Sequence, residues 1–541
     1  MTTVAQLLLA RADDDRVGLR FEDDSWTYRE YVAEAGRRAA YLRKSLDPAR
    51  EPHIGVLLDN TPEFCFWLGA AALAGVTIAG VNPTRRGAEL ARDIGHTECQ
   101  IIVTEKRHHG IITDAGIDLP TVIVDADEID YPESEAVADT HVDEATQYLL
   151  IFTSGTTSDP KAVICTQGRL ARIAQVMTTG FGLGIDDVAY CAMPMFHGNA
   201  LMTSWSPTMV GGGTLALRRK FSASGFITDV RKYGVTYFNY VGRPLAYILA
   251  TPEQPDDADN TLKRVFGNEA SEPDMRAFER RFGCWVVEGY GSSEGGIAIN
   301  RTPDTPELAL GPAPDGVVVL DPSTGDECAR ARFDQTGRLL NGDEAIGELV
   351  HRRSAPDFEG YWRNPEATAA RVKGTEYWSG DLCYVDEAGY VYFAGRGDDW
   401  MRVDGENLAA TPIERILVRH PDIVGATVYA VPDPQVGDLP MAALELREGA
   451  AFDPASFAAF LSGQQDLGTK AAPRFVRLVE TLPVTATMKA IRKDLRREMW
   501  RCDDETWWRP EKDSAYVPLT SEDRAAYEER FARHGRAHVI A

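Results

Sequence analysis

Residues 147–163, QYLLIFTSGTTSDPKAV, constrain the fold of this chain more than any other stretch. The apolar run 148–152 predicts a buried strand, and it stops abruptly at a loop made almost only of Thr, Ser, Gly, Asp, Pro and Lys. Thr153, Ser154, Thr156 and Thr157 offer hydroxyl donors, Gly155 lets backbone N–H groups approach oxygens closely, and Lys161 adds a point charge. That is chemistry suited to a polyphosphate. The order is not that of a Walker A loop, in which Gly-Lys-Ser/Thr opens a helix.

The same alternation of apolar strands with helical stretches continues around this loop. Residues 28–44 and 89–95 read as helices, and residues 53–58, 101–104 and 121–125 as short strands. This is the α/β pattern that builds parallel sheets. Segments 125–144, 252–260 and 302–315, rich in Pro and acids, predict surface loops. Gly180, Gly182 and Gly184 imitate part of a dinucleotide fingerprint, but the third spacing is wrong, and a loop is expected there. Residues 64–81 carry no charge over eighteen positions, yet they are mostly Ala and Gly and Gly75 divides them. A helix over 62–74, a tight turn and a strand over 76–81 are expected instead of an integral membrane segment.

Charge and cysteine usage narrow the partners. A net charge of −25 and a pI near 4.9 disfavour nucleic acid and anionic membrane surfaces. The eight cysteines (65, 99, 165, 191, 284, 328, 383 and 502) are scattered, with no Cys-x-x-Cys pair, as reduced thiols in a cytoplasm would be. No basic-then-apolar secretory signal opens the chain. The oligomeric state is left open, a homodimer included.

Further segments follow in a fixed order: MPMFHGNA (193–200), EGYGSSEGG (288–296), YWSGDL (377–382), GRGDDWMRVDGENLAATPIE (395–414) and LPVTATMKAIRKDLR (482–496). Together with the loop at 153–161 they resemble the signature of the acyl-adenylate-forming enzymes, the superfamily of acyl-CoA synthetases, adenylation domains and beetle luciferases. The resemblance spans nearly the whole chain. It implies a large multi-subdomain α/β N-terminal domain with parallel sheets over residues 1–397, binding adenylate and acid. It also implies a small mobile α+β C-terminal domain over 398–541, swinging about a hinge at Asp398.

The implied chemistry can be argued from the residues. A carboxylate is a poor electrophile, and transfer of AMP onto it makes a mixed anhydride that a thiol can attack. The protein must neutralise a triphosphate, hold a nucleoside and align the carboxylate with the α-phosphorus. The resemblance gives the first task to the loop 153–161, and makes Glu294 the ligand of Mg²⁺, a hard cation that prefers oxygen. Tyr290 would stack on adenine, and Ser293 would donate to the α-phosphate. Asp381 would accept both ribose hydroxyls with help from Arg396, and Gly267, Asn268, Glu269 and Ala270 would wall the adenine side. His197 becomes a mobile wall near the reacting carboxylate, and Lys489 bridges carboxylate and α-phosphate. Val403, Asp404 and Gly405 would admit the pantetheine arm of CoA. The basic helix with Arg492, Lys493, Arg496 and Arg497 is read as a solvated face in preference to a CoA phosphate site.

NYVGRPLAYIL (239–249) and FGNEASEPDMRAFERRFG (266–283) resemble the very-long-chain acyl-CoA synthetase and fatty-acid-transport branch, and the tail around Trp507 and Trp508 resembles bacterial fatty-acid ligases. His197 stands where adenylation domains for amino acids carry an Asp, which argues against an amino-acid substrate. The expected acid is large and apolar, with Met193, Met195, Phe196, Met202, Trp205, Met209, Tyr240 and Val241 as candidate walls. The function implied is an AMP-forming acyl-CoA ligase using ATP, CoA and Mg²⁺ on a long-chain fatty acid or a large secondary-metabolite acid. Alternatives are a ligase that loads a carrier protein and a non-catalytic transport-type protein, though Lys161, Glu294, Asp381 and Lys489 are all retained. A further alternative follows from departures at Ser158, Asp159 and Met488, which all fall on the adenylation side. They make adenylation the half-reaction to suspect of weakness, with transfer from a supplied acyl-adenylate preserved.

Overall fold

The computed structural model describes residues 2–540 apart from 127–128, 134–135, 154–160, 336, 338, 397–399, 404–405, 436, 469, 486–489 and 512–513. The apolar run of the opening segment becomes the strand Gln147–Thr153, buried over 148–151, in a six-stranded sheet. Its neighbours run Thr121–Ile123, Ile101–Thr104, His53–Leu57 and Thr77–Gly80, all parallel, and then Gln147–Thr153 itself. Lys161–Thr166 closes this sheet antiparallel to Gln147–Thr153. A second sheet of eight strands has the order Ala298–Asn300, Trp285–Gly291, Arg264–Asn268, Tyr237–Val241, Val188–Cys191, Thr214–Leu217, Val17–Phe21 and Asp24–Thr27. Its interior pairs are parallel, and only its two outermost pairs are antiparallel.

Buried helices seal these sheets, as parallel strands require. Tyr28–Ser45 starts at a Thr27–Glu30 capping box, and Pro62–Ala74 is buried along almost its whole length. Arg38 crosses between them, with Nε 3.0 Å and Nη2 2.5 Å from the two oxygens of Glu63. The expected turn at Gly75 is left-handed (φ 63°) and leads to the strand Thr77–Gly80. No described helix is long and apolar enough to cross a membrane.

A third sheet is antiparallel, in the order Gly311–Pro312, Tyr390–Arg396, Glu376–Val385, Gly347–His351 and Val317–Leu320. Beyond it come the hairpin Trp400–Val403 with Glu406–Ala409 and a five-stranded sheet. That sheet runs Ile423–Pro432, Asp438–Leu446, Phe475–Val479, Thr506–Trp508 and Val517–Pro518, with one parallel pair among antiparallel ones. The buried apolar clusters divide in the same way. Four draw their buried residues from positions 4–391 and two from positions 401–540.

Three expectations need correction. Gly180 is not in a loop but in the helix Gln167–Phe181, which Gly182 ends in a left-handed cap. Segment 302–315 contains the short strand Gly311–Pro312. Segment 252–260 is irregular but not wholly at the surface, because Asp257 is buried and accepts from Arg281 Nε at 2.6 Å.

Candidate functional site

The carboxyl ends of parallel strands are where an α/β sheet leaves room for a ligand, because the connections diverge there. Both large sheets direct those ends at one cleft of about 2760 Å³. Leu58–Asn60, Asn82–Arg86, Thr153, Met193–Pro194, Phe196–Asn199, Gly242–Arg243 and Asn268–Met275 line it, each at the end of a strand or in the connection that follows it.

The opening segment shapes one wall. Thr153 pairs with Lys161 across the two antiparallel strands, so the element that follows Gln147–Thr153 is a second strand and not a helix. This explains why the residue order differs from that of a strand-to-helix phosphate loop. Ser154, Gly155, Thr156, Thr157, Ser158 and Asp159 lie outside the described residues. Lys161 Nζ stands 5.5 Å from the ring centroid of Tyr361, whose hydroxyl donates to Glu294 Oε1 at 3.0 Å. Arg371 is close to both Tyr361 and Glu294. Lys161, expected at the polyphosphate, and Glu294, expected as the Mg²⁺ ligand, thus both line the cleft around Tyr361.

The nucleoside side is equally convergent. Tyr290, near the end of the strand Trp285–Gly291, donates its hydroxyl to Asp381 Oδ2 at 2.5 Å. Burial, reinforced by the Asp381 charge, holds the Tyr290 phenol well above its ordinary pKa, so it remains a donor at neutral pH. Asp381 is set by its own strand, since Ser379 Oγ donates to Leu349 O at 2.7 Å and accepts the Asp381 N–H at 3.1 Å. The Ser379 hydroxyl thus ties Asp381 to the neighbouring strand. Arg396 is paired in register with Asp381 across the strands.

Gly267 and Asn268 end the strand Arg264–Asn268, Glu269 and Ala270 follow it, and all but Gly267 line the cleft. Glu269 adopts φ 74°, sparsely populated for a residue with a β-carbon. Gly267 has the Tyr240 ring where a β-carbon would sit. Beneath this wall lies a group missed in the sequence, Glu288. Its Oε1 accepts the Ala270 N–H at 2.5 Å and the Tyr240 hydroxyl at 3.0 Å. Burial pushes its carboxyl up to about 7, against the opposing effect of those two donors. The signal was available, since Glu288 opens the quoted segment EGYGSSEGG.

The gate segment MPMFHGNA runs from a strand end into the one-turn helix Gly198–Ala200 and then a π-helical turn, Leu201–Trp205. Such turns recur at functional sites because they re-aim a helix face. A β-carbon on Gly198 would meet Ser293 Oγ at 2.8 Å, so the absent side chain is what brings the gate against Ser293. Ser293 is held from behind by Arg169, whose Nη2 donates to its carbonyl at 2.6 Å. Arg169 is buried, and nothing in the sequence marked it.

The expected acid-pocket walls separate into two groups. Met193, Phe196, His197, Met202 and Val241 line the cleft. Met195, Trp205, Met209 and Tyr240 do not, because each is turned into the core behind it. Trp205 Nε1 donates to Tyr31 Oη at 3.0 Å, and Tyr240 is tied to Glu288. Phe266, Ile173, Val176 and Met177 supply apolar surface in their place.

On the far side, Val403 is buried in the hairpin core, while Asp398, Asp404, Gly405, Met488 and Lys489 lie outside the described residues. The residues flanking the lysine segment, Thr485 and Ala490, line the cleft. The basic helix is not simply solvated. Arg492 Nη2 lies 2.8 Å from both oxygens of Glu414, although Arg497 is exposed and pairs with Asp494. Among the described residues, Asp59, Glu105 and His108 come together with metal-like spacing. Arg107 lies 2.8 Å from Asp59 and Arg219 2.6 Å from Glu105, which makes the group an ion-pair network.

Comparison with known proteins agrees with this geometry. Residues 9–362 match the family model described as AMP-binding enzyme, and residues 412–489 match AMP-binding enzyme C-terminal domain. The chain is 52% identical over 555 residues to the steroid-22-oyl-CoA synthetase of Rhodococcus jostii (strain RHA1), covering 100% of this chain and 99% of the relative. It is 48% identical to the medium/long-chain-fatty-acid–CoA ligase FadD17 of Mycobacterium marinum, with 93% and 98% covered. Among solved structures, ATP-bound MatB from Rhodopseudomonas palustris aligns with a TM-score of 0.78 at 25% identity, over 92% of this chain and 98% of that one. The anthranilate CoA ligase AuaEII with anthranoyl-AMP aligns with a TM-score of 0.80 at 20% identity, over 92% and 96%.

Proposed function

The chain belongs to the AMP-binding enzyme family and is an acyl-CoA ligase, and from that premise we propose that its acid is a steroid bearing a side-chain carboxylate. The observation that carries this reading is the cleft. Met193, Phe196, Met202, Val241 and Phe266 supply apolar surface in the same cleft as the Tyr290–Asp381 pair. A rigid polycyclic acid loses less rotamer freedom on binding such a surface than a flexible chain of equal area. The full-length similarity to a steroid-22-oyl-CoA synthetase points the same way.

In this reading Asp381, oriented by Ser379 and Tyr290, takes the ribose hydroxyls. Lys161, Ser293 and the hydroxyls of the loop 153–157 surround the phosphates, while Lys489 bridges the acid carboxylate and the α-phosphate. The carboxylate oxygen attacks the α-phosphorus, the bond to the β-phosphate oxygen breaks, and pyrophosphate leaves with that electron pair. His197 and Phe196 shield the resulting anhydride from water until the CoA thiol attacks its carbonyl and AMP departs. Glu294 has the hard oxygen chemistry Mg²⁺ takes, and one carboxylate with substrate phosphates is that ion's usual complement at nucleotide sites. The ion would neutralise phosphate charge there. Val403, Asp404 and Gly405 are assigned the pantetheine path.

The reading divides the chain at Asp398, supported by the separate apolar clusters on either side. It places the protein in the cytoplasm, a setting compatible with eight free thiols. Sedimentation would decide between a monomer and a homodimer. The deciding experiment offers the enzyme, ATP, Mg²⁺ and CoA a panel of steroid side-chain acids and straight-chain fatty acids, with thioesters read by mass spectrometry. The steroid acids should lead in kcat/KM by about tenfold or more, the scale of a well-filled apolar pocket. Preference for straight chains would assign the enzyme to fatty acids instead.

A further inference from the structure

Arg243 ends the turn after the strand Tyr237–Val241, so it adjoins the strand whose Val241 walls the acid side of the cleft. Its guanidinium reaches across into the C-terminal sheet. Nη2 donates to Ala426 O at 2.8 Å and to Thr427 Oγ1 at 3.3 Å. Nη1 lies 3.9 Å from Glu445 Oε2, with the two side chains only 15% and 11% exposed. That same Glu445 oxygen accepts the Leu482 N–H at 3.0 Å. Leu482 begins the segment that leads to Lys489, and Thr485 and Ala490 on either side of the lysine line the cleft with Asp381 and Glu294. The berth depends on a glycine. A β-carbon on Gly425 would run into the guanidinium, with Cζ 2.8 Å away.

We propose that Arg243 is a positioning residue for adenylation, a latch that holds the C-terminal unit in the orientation that brings Thr485 and Ala490, the described residues on either side of the lysine, to the cleft. The inference rests on the ligase reading above. Charge-assisted bonds in a berth nearly closed to water hold far better than exposed ion pairs, and carbonyl and hydroxyl acceptors on one strand fix direction as well as distance. Through Glu445 the latch reaches the backbone of the lysine segment. Through its own chain it reaches the strand that touches the acid. A swing that brings the thiol path to the anhydride must withdraw Ala426 and Thr427 from the guanidinium, so the latch serves one half-reaction and has no part in the other. Arg243 touches no reacting atom.

The test uses the full chain as wild type, Arg243→Ala, Gly425→Val and the double variant. Pyrophosphate release from acid plus ATP is compared with thioester formation from synthetic acyl-adenylate plus CoA. Each single variant should lose about tenfold or more in adenylation, the scale of a lost charged hydrogen bond. Thioester formation should stay within about twofold, and the double variant should be no worse than either single one, since both delete the same contact. Equal losses in both half-reactions, no loss, or additive losses would overturn the latch. Small-angle scattering of the ligand-free chains adds a readout that needs no acid. The Arg243→Ala chain should sample a broader range of dimensions than the wild type, and identical scattering would overturn the proposal. A wild type inactive on every acid but distinct in scattering from Arg243→Ala would count against the substrate assignment alone.

Discussion

Asp381 and Tyr290 stand 91 positions apart in the chain and share one hydrogen bond of 2.5 Å. A carboxylate already held by a donor and by its own strand is preorganised for a diol, and that diol is common to ATP and to the acyl-adenylate. Asp381→Ala should therefore weaken both ligands together, by about tenfold or more. Calorimetry that finds adenylate affinity unchanged would contradict the assignment. Glu288 makes a different demand. Its carboxyl sits near 7 in the fold against 4.5 for a free glutamate, so folding favours the protonated form. No penalty exists below about pH 4.5, it grows as pH rises towards 7, and above 7 it stands in full at about 1–3 kcal/mol. Glu288→Gln keeps the acceptor for Ala270 and Tyr240 but cannot ionise. Its melting temperature should gain on the wild type as pH rises from about 5 to about 8. A gap that does not change with pH would show that Glu288 is solvated in the folded protein.

At the level of elements, the gate works by close approach. Gly198 opens a short helix, a π-helical turn follows, and Ser293 Oγ occupies the space a side chain would need. Gly198→Val should push the gate off Ser293 and lower pyrophosphate release by about a hundredfold, the usual effect of an ångström of misplacement at a reacting centre. Thermal stability should fall by only a few kcal/mol, about 1–3 by the scale of overpacking. Full activity in the variant would show that the gate does not need this contact. The elements carrying these motifs were legible in the sequence because their signals are local, from the apolar run at 148–152 to the Gly75 turn. Pocket membership was not. Met202 and Trp205 lie on one π-helical turn, yet Met202 faces the cleft and Trp205 bonds Tyr31 behind it. Which side of a helix meets a cavity depends on the next layer, and that layer comes from residues far away in the chain.

For the whole molecule, the separation of the apolar clusters matters most. With distinct cores before and after Asp398, each part can lose its packing without the other. Calorimetry should resolve two unfolding transitions, the smaller belonging to the C-terminal unit, and the two should draw together when an acyl-adenylate analogue spans the cleft. One transition with equal calorimetric and van't Hoff enthalpies would mean that the interface couples the parts completely.

Residue order alone determined the alternation that makes parallel sheets, the hydroxyl-rich loop after a buried strand, and the chemistry available at Lys161, Glu294 and Asp381. Side-chain chemistry and short-range periodicity are properties of the chain itself. Tertiary structure decided what those groups meet. It paired Thr153 with Lys161 on an antiparallel neighbour, raised the Glu288 carboxyl by burying it under Ala270, placed Arg169 behind Ser293, and set Arg243 in the berth left by Gly425. Each of these depends on desolvation or contact between segments remote in sequence, and such energies exist only once the layers have closed on one another.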